Sequence, residues 1–360
     1  MAAVTGDLRH RAPALSTDLF DYSLPPDRIA QTPRDPRDSS RLLHLGRDGA
    51  IDDHLFTALP DLLRAGDLLV ANDTRVRAAR LRGTLADGAP AEVLLLERLQ
   101  RGRFTALVRP GRRLRSGQVV RHGDSLQVTV EGPAPGHPGA RVVALAADGD
   151  IEEAIANAGE APLPPYIHTP LHDASRYQTV YATGEPASAA APTAGLHFTQ
   201  RVRDSLTAVG VGWATVQLDV GLGTFAPITA TDVRTHRMHA ERCTLPAATA
   251  SRIEETRRRG GRVVAVGTTV VRTLESHVDG AGRPHPGTMA TQLFINPGHH
   301  FAVVDGLLTN FHQPRSSLLV LLASLVGDRW RDAYSHALDN GYRFLSFGDC
   351  MLCWRDSGSR

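Results

Sequence analysis

The sequence predicts an α/β protein in which a barrel-like main domain carries an inserted small all-β barrel domain. Between residues 76 and 143, short runs of alternating apolar and polar residues are separated by Gly, Pro and Asp, as in small antiparallel barrels. Outside that region, strand-like apolar runs alternate with helical ones. The length of 360 residues is sufficient for two domains with separate cores. We therefore predict a main domain of residues 1–75 and 155–360 and an inserted domain of residues 76–154.

The elements follow in chain order. In the first part of the main domain, the pattern predicts a strand at 42–45, a weak helix at 55–63 and a buried strand at 68–72. The inserted domain should contain strands at 91–96, 104–108 and 126–130, with a hairpin loop at 133–139. Beyond it we expect helices at 151–158, 199–208 and 318–326, a strand-to-helix passage at 261–269, and strands at 211–220, 293–295 and 342–352.

Composition excludes several classes of function. The formal net charge of +2 is too small to indicate nucleic-acid binding by itself. No apolar run is long enough to cross a bilayer and no signal-peptide pattern opens the chain, so we expect a cytoplasmic protein with no membrane partner. The sequence contains no lysine, which excludes Schiff-base, lysine-nucleophile and P-loop lysine mechanisms. Dinucleotide-binding, nucleophile-elbow and zinc-protease motifs are also missing from it.

The three cysteines fit a reducing compartment rather than a disulfide framework. Cys350 and Cys353 form a C-x-x-C pair, but there is no second pair and no histidine at metal-ligand spacing. A structural zinc site requires four ligands. We therefore expect no metal, and interpret the pair as two buried cysteines that pack as small apolar side chains.

Arginines are concentrated in the inserted domain. Eight of them lie between Arg98 and Arg121 with no acidic residue among them. Such a cluster can bind phosphates and release counterions, or it can be the solvated face of a small domain. The central members of the cluster are Arg109, Arg112, Arg113 and Arg115, and these are the candidate RNA-binding residues.

Two turns are candidates for a site. Residues 190–199 are small and rigid at first, flexible at Gly195, and then present His197, which could transfer protons near neutral pH. His239 and His312 lie in similar polar turns beside predicted strands. At residues 267–269, a glycine and two threonines open a helix. Their backbone N–H groups could be free for a ligand, or Thr268 or Thr269 could simply cap the helix.

Taken together, many segments resemble one family, the S-adenosylmethionine:tRNA ribosyltransferase-isomerases of queuosine biosynthesis. The similarity extends from about Phe20 to Leu352. It is carried in this order by FDYSLPPDRIAQTP, RDSSRLLHL, NDTRVRAARL, PLPPYI, RYQTVYA, AAPTAGLHFT, VGLGTFAPI, MHAER, GGRVVAVGTTVVRTLES, LFINPG, TNFHQPRSS and YRFLSFGD. So many segments in one order make the resemblance independent of any single motif.

The resemblance implies transfer and isomerisation of the ribosyl group of S-adenosylmethionine onto the aminomethyl group of a 7-deazaguanine at the tRNA wobble position. Adenine and methionine leave, epoxyqueuosine results, and no cofactor is needed beyond the donor substrate. His197 or His312 would be the acid/base group, with Asp73 or Asp349 as its polar partner. The substrate-binding candidates are Arg75, Thr193, Thr268, Thr269, Arg272, Asn310 and Arg315.

This chain departs from the family pattern at five positions. Asp219 replaces a usual histidine, Arg315 and Ser317 replace lysine and threonine, Phe347 replaces tyrosine, and Cys350 replaces alanine. Two alternatives therefore stay open. A paralogue could perform the same chemistry on another acceptor, such as a free 7-deazapurine, or the chain could be a non-catalytic RNA-binding descendant.

Overall fold

The computed structural model describes residues 14–137, 139–221 and 227–356. Residues 222–226, within the VGLGTFAPI segment, lie outside the described residues. Within the described ranges, no helix has the length and apolar character needed to span a bilayer.

The strands are β1 (Arg41–Leu45), β2 (Ile51–Leu55), β3 (Leu68–Asn72), β4 (Arg75–Val76), β5 (Arg80–Thr84), β6 (Pro90–Gln100), β7 (Arg103–Arg109), β8 (Val119–His122), β9 (Leu126–Pro133), β10 (Arg141–Ala147), β11 (Gly159–Glu160), β12 (Pro186–Ser188), β13 (Gly212–Leu218), β14 (Glu241–Leu245), β15 (Val263–Val266), β16 (Gly287–Thr291), β17 (Gly306–Asn310) and β18 (Cys350–Trp354). The α-helices are α1 (Leu59–Leu62), α2 (Ile151–Ala158), α3 (Gln200–Ala208), α4 (Ala247–Arg258), α5 (Thr268–Ser276), α6 (Ser317–Val326) and α7 (Arg329–Asp339).

A nine-stranded mixed sheet forms the centre of the main domain, in the order β16-β14-β13-β3-β15-β17-β18-β1-β2. Its four central strands β13, β3, β15 and β17 are parallel to one another. Because parallel strands end at the same edge of a sheet, the loops that follow these four strands come together there. This edge is where the candidate site lies.

Both faces of the large sheet are covered, which explains why its central strands are apolar without alternation. In β3, Leu68 and Val70 join the core beneath α4, α5, α6 and α7, whereas Leu69 and Ala71 join the core beneath α1 and α3. Cys350 and Cys353 of β18 likewise lie on opposite faces, and both are fully buried. The two thiols therefore pack separately as small apolar groups, as predicted.

The second sheet forms a closed barrel. Strands β5, β6, β7, β10, β9 and β8 pair in antiparallel succession, and the pairing of Thr84 with Arg121 joins β5 to β8. The short β11 extends this sheet beside β5. Alternate side chains point inward, where Leu81, Val93, Phe104 and others form a separate core. The predicted α/β class with a small inserted β-barrel is confirmed, while the boundaries at residues 76 and 154 stay a prediction.

Two predicted strands are wrong in whole or in part. Residues 293–295 form no strand, because side chains take their backbone groups: Thr291 Oγ1 accepts from the Leu293 N–H, and the Leu293 carbonyl accepts from Arg272 Nε. In the segment 342–352, only the end from Cys350 onward is a strand. The left-handed φ of 69° at Leu345 interrupts the extended path.

Candidate active site

A pocket enclosing about 640 Å³, including its mouth, lies where the parallel strands end. Loops after β15 and β17 form two of its walls, and the turn at residues 191–194 forms a third. Its lining residues are Tyr166, Ala191, Pro192, Thr193, Ala194, Val220, Gly267, Thr268, Thr269, Thr309, Asn310, Phe311, His312, Gln313, Ser316, Leu318, Leu345 and Ser346. Of the predicted site residues, Thr193, Thr268, Thr269, Asn310 and His312 are thus brought together.

Helix α5 begins at this pocket without a side-chain cap. Gly267 precedes it with φ 93° and ψ 154°, a conformation that L residues other than glycine rarely adopt, and donates its N–H to Leu308 O at 2.8 Å. Thr268 and Thr269 are each more than nine-tenths buried. Neither threonine caps the helix, so the capping alternative is wrong, and ligand binding at these N–H groups stays a prediction.

Asn310 lines the pocket and carries a buried acceptor that is unpaired among the described residues. Its Nδ2 donates to His197 Nε2 at 3.2 Å, and lies 3.2 Å from Leu345 O and 3.3 Å from Asp349 O. Backbone carbonyls can only accept, so these contacts fix which end of the amide carries the nitrogen. The opposite atom, Oδ1, is buried and has no partner among the described residues. A ligand with a hydrogen-bond donor would satisfy it.

The structure places His197 behind Asn310 and outside the pocket lining. Because Nε2 accepts from Asn310, the neutral ring carries its proton on Nδ1. Burial lowers the pKa of His197 to about 4, partly opposed by Asp349. Its geometry is that of a positioning residue for the Asn310 amide, and its predicted catalytic role stays a prediction.

His312 is the histidine that lines the pocket. Its Nε2 lies 3.1 Å from Thr309 Oγ1, and its backbone N–H donates to Tyr334 Oη at 2.9 Å. The other ring nitrogen, Nδ1, has no hydrogen-bond partner in the described part of the chain. Burial alone lowers the pKa of His312 to about 3. The ring is therefore neutral at physiological pH.

Leu345, Tyr166 and Ser346 are among the lining residues that were not predicted. Leu345 has a left-handed φ of 69°, which is rare for a branched residue, and this directs its carbonyl towards Asn310. The hydroxyls of Tyr166 and Ser346 lie 2.7 Å apart at the pocket wall. Both belong to segments quoted for the family resemblance, PLPPYI and YRFLSFGD, which was the available signal for including them.

Asp349, Asp73 and Arg75 lie outside the lining. The Asp349 carboxylate is fully buried and accepts the backbone N–H groups of Arg41 and Arg343 at 2.9 and 2.8 Å, so it stabilises the turn before β18. Asp73 is buried at the end of β3 with one carboxylate oxygen unpartnered. Arg75 is exposed on β4. Their predicted roles in catalysis and substrate binding are not tested by this geometry.

Arg272 and Arg315 each bind acidic side chains. Arg272 is buried on α5 and forms an ion pair with Glu241 while donating to the Leu293 carbonyl. Arg315 bridges Asp18 and Asp21 near the molecular surface. Neither lines the pocket, and all three acidic partners are distant in sequence.

The positions that depart from the family pattern lie beside the pocket rather than in its lining. Asp219 accepts from Thr74 Oγ1 at 3.0 Å, and burial raises the pKa of its carboxyl. Phe347 packs edge-on against Tyr177 with ring centroids 5.9 Å apart. Ser317 opens α6 next to Ser316, whose side chain caps that helix. Each replacement is accommodated by neighbouring protein groups.

The arginine cluster of the barrel divides into two groups. Arg98, Arg101, Arg103 and Arg113 form ion pairs with Glu152, Asp150, Glu131 and Asp87. Arg109, Arg112, Arg115 and Arg121 are exposed and have no acidic partner among the described residues. Of the four predicted RNA-binding arginines, Arg113 is therefore the one whose charge is already neutralised.

One group of potential metal ligands occurs in the described ranges, away from the pocket. Ligand atoms of His44, Asp52 and His54 lie within 4.8 Å of one another on β1 and β2. However, Trp354 Nε1 donates to His44 Nε2 at 3.0 Å, so the neutral His44 ring carries its proton on Nδ1, the nitrogen facing Asp52 at 3.7 Å. A protonated nitrogen cannot bind a metal, and the group does not fit a metal site.

Known proteins similar to this chain share one activity in their names. A sequence profile described as "Queuosine biosynthesis protein" matches residues 17–353. The S-adenosylmethionine:tRNA ribosyltransferase-isomerase of Symbiobacterium thermophilum is 49% identical over 337 residues, covering 92% of this chain and 98% of that protein. The enzyme of the same name from Gloeobacter violaceus is 48% identical over 345 residues, covering 95% and 97%.

The fold agrees with a solved structure. The crystal structure of S-adenosylmethionine tRNA ribosyltransferase from Thermotoga maritima is 37% identical in sequence and superposes with a TM-score of 0.53, covering 93% of this chain and 99% of that chain. The match extends over both the large sheet and the barrel region. The chain therefore belongs to the queuosine biosynthesis protein family, the family of the S-adenosylmethionine:tRNA ribosyltransferase-isomerases.

Proposed function

We propose that this protein transfers and isomerises the ribosyl group of S-adenosylmethionine onto the aminomethyl group of 7-aminomethyl-7-deazaguanine in tRNA. The products are epoxyqueuosine in tRNA, adenine and methionine. The observation that carries the proposal is the pocket at the ends of β15 and β17, where an unpaired acceptor on Asn310, an uncapped helix and a neutral histidine meet. Names of relatives that match nearly the whole chain support the same reaction.

The chemistry follows from the sulfonium of the donor. Its positive charge acidifies the neighbouring C5′ hydrogens, so a base can remove one and form an ylide. The C4′–O4′ bond then breaks, and adenine departs from C1′ as the aldehyde forms. The amine adds to C4′, C5′ bonds to C1′, and the resulting alkoxide displaces methionine to close the epoxide. Each step is a proton transfer or a polar substitution, so the sequence needs neither a metal nor a redox cofactor.

We assign the proton acceptor to His312. In the tautomer whose Nε2–H donates to Thr309 Oγ1, the unpartnered Nδ1 is the accepting nitrogen. The ring lines the pocket and is neutral at physiological pH. Burial makes an isolated imidazolium unfavourable, but here the proton comes from a carbon beside a sulfonium. The transfer therefore moves a positive charge already present in the pocket instead of creating one. The same nitrogen can then return the proton to the departing adenine.

The residues that line the pocket can accommodate the positively charged sulfur of the donor. Among the described lining residues there is no arginine to repel it and no carboxylate to trap it. Leu345, whose backbone carbonyl accepts from Asn310 Nδ2, lines the pocket instead, and carbonyl oxygens attract cations. The hydroxyl of Thr193, in the turn that forms another wall, adds a polar group for the ribose.

For tRNA, the proposal uses the exposed barrel arginines without acidic partners. Arg109 ends β7, and Arg112 and Arg115 lie between β7 and β8, so the three can contact successive phosphates. Arg113, which pairs with Asp87, would contribute less unless RNA displaces that carboxylate.

The test is a product assay. The purified chain is incubated with S-adenosylmethionine and tRNA that carries 7-aminomethyl-7-deazaguanine, and adenine, methionine and the modified nucleoside are quantified by mass spectrometry. We expect equal amounts of the three products. A parallel reaction uses the free deazaguanine base as the alternative acceptor. Adenine release only in that reaction would show that the free base, and not tRNA, is the acceptor. Intact tRNA binding without adenine in either arm would favour the non-catalytic alternative.

A further inference from the structure

We propose that the N-terminus of α5, together with the hydroxyl of Thr269, is the subsite for the α-carboxylate of the donor's amino-acid tail. This inference rests on the proposed function for the identity of the ligand and adds which end of the donor lies at this wall. Two observations carry it independently: the open start of the helix, and a buried hydroxyl that no protein group satisfies.

The start of α5 is built to leave its N–H groups available. Gly267 occupies the cap position but has no side chain to accept from them. The backbone N–H groups of Thr268 and Thr269 have no acceptor among the described residues. Since α5 has nine residues, its first turn carries the partial positive charge that attracts anions.

Thr269 supplies the second observation. It is 8% exposed, it lines the pocket, and its Oγ1 is buried with no hydrogen-bond partner among the described residues. One turn further along, Thr273 Oγ1 donates to the Thr269 carbonyl at 2.9 Å. Thr269 is in the first turn, where no helical carbonyl lies four residues behind it. Its hydroxyl is therefore left for a ligand that accepts a hydrogen bond.

Among the charged groups of the donor, the carboxylate is the one that the positive helix N-terminus attracts. The sulfonium and the α-ammonium are cations, and a helix N-terminus disfavours both. The described lining contains no arginine, and the chain has no lysine, so no basic side chain competes for the carboxylate there. Val266 and Leu308 are paired neighbours on β15 and β17, which places Asn310 beside the helix start. The Oδ1 atom of Asn310 can accept a hydrogen bond from the donor's α-ammonium, which is attached to the same carbon as the carboxylate.

Isothermal titration of the full chain with S-adenosylmethionine and with its decarboxylated analogue tests this subsite without RNA. We expect the analogue to bind at least about 10-fold more weakly to the wild-type protein. Thr269→Val keeps the side-chain shape and removes the hydroxyl. It should weaken S-adenosylmethionine binding by about 10-fold and leave binding of the analogue nearly unchanged. Thr273→Val, one turn away on the same helix, is the matched control and should preserve the wild-type ratio.

The possible outcomes distinguish failure of the carboxylate subsite from failure of the proposed function. Equal affinities of the wild-type protein for both donors would overturn the carboxylate subsite and leave the proposed function standing. A Thr269→Val protein that loses affinity for both donors to the same extent would also overturn it, because the hydroxyl would then serve another part of the donor. Failure of the wild-type protein to bind either donor, alone or with acceptor tRNA, would overturn the proposed function itself. Should Thr269→Val not fold, the wild-type comparison still decides.

Discussion

Replacing His312 by glutamine should make the stability of this protein less dependent on pH below neutrality. Burial lowers the pKa of His312 from 6.5 to about 3 in the folded state, and no charged group opposes that effect. The unfolded chain therefore binds a proton at this site where the folded protein does not. The contribution of the neutral ring to stability is complete above pH 6.5, and it is lost as the pH falls from 6.5 towards 3.

The size of the effect follows from the two pKa values. At pH 5 the unfolded imidazole is protonated and the folded one is still neutral. The interval of 1.5 pH units, at about 1.4 kcal/mol per unit, gives a loss of about 2 kcal/mol between pH 8 and pH 5. This value changes little as long as the pKa in the folded protein stays below about 4. His312→Gln removes this contribution and leaves those of the other titrating groups in place.

Urea unfolding of the wild-type protein and His312→Gln at pH 8 and pH 5 measures the effect. The difference in unfolding free energy between the two proteins should shift by about 2 kcal/mol in favour of the variant at the lower pH. His336→Gln is the matched control, because His336 is half-buried, binds Asp53 at 3.0 Å and does not line the pocket. Parallel pH profiles for the wild-type protein and His312→Gln would refute the inference that the ring is buried and neutral.

Two further predictions concern the turn at 190–199 and the barrel. A Cβ on Gly195 would lie 2.0 Å from Tyr181 Oη, so Gly195→Ala should cost about 1–3 kcal/mol in thermal or urea unfolding. Adding Tyr181→Phe should recover part of that loss, and an unchanged melting temperature for Gly195→Ala would contradict the close approach. Replacing Arg112 and Arg115 by alanine should reduce the salt dependence of tRNA binding, measured by fluorescence polarisation, by about one unit of log–log slope per arginine. Arg103→Ala should reduce it less, because Glu131 already neutralises that side chain, and equal effects of all three would contradict the division of the cluster.

Local patterns predicted most of the architecture because strand and helix periodicities are local properties. The helix at 151–158 and the strand at 68–72 have the predicted bounds, and the barrel strands follow their alternation of apolar and polar residues. The failures at 293–295 and 342–352 lie where side chains bind the backbone or where a left-handed φ interrupts it. Arg272 holds the Leu293 carbonyl from 21 residues away, and Leu345 has a φ of 69°. Neither feature is visible in the alternation of apolar and polar residues from which the strands were predicted.

The same limitation applies to the site. Histidine in a polar turn predicts a candidate acid or base, but it does not say which ring meets the ligand. His197 and His312 looked equivalent in the sequence, and only the packing shows that Asn310 stands between His197 and the pocket. The arginines present a similar case, since the ion pairs that neutralise Arg272 and Arg315 link separate parts of the chain. Thr268 and Thr269 were recognisable because a glycine followed by threonines after an apolar strand is a local signal.

The central claim is that a neutral side chain of this pocket removes the C5′ proton of a bound sulfonium donor. The most direct measurement is the single-turnover rate of adenine release from S-adenosylmethionine in the presence of acceptor tRNA, compared between wild-type protein and His312→Gln. We predict that the variant retains its fold and donor binding but releases adenine about 10²–10⁴-fold more slowly, the usual contribution of a general base, whereas His336→Gln keeps the wild-type rate. Wild-type adenine release by a folded His312→Gln protein would contradict the claim.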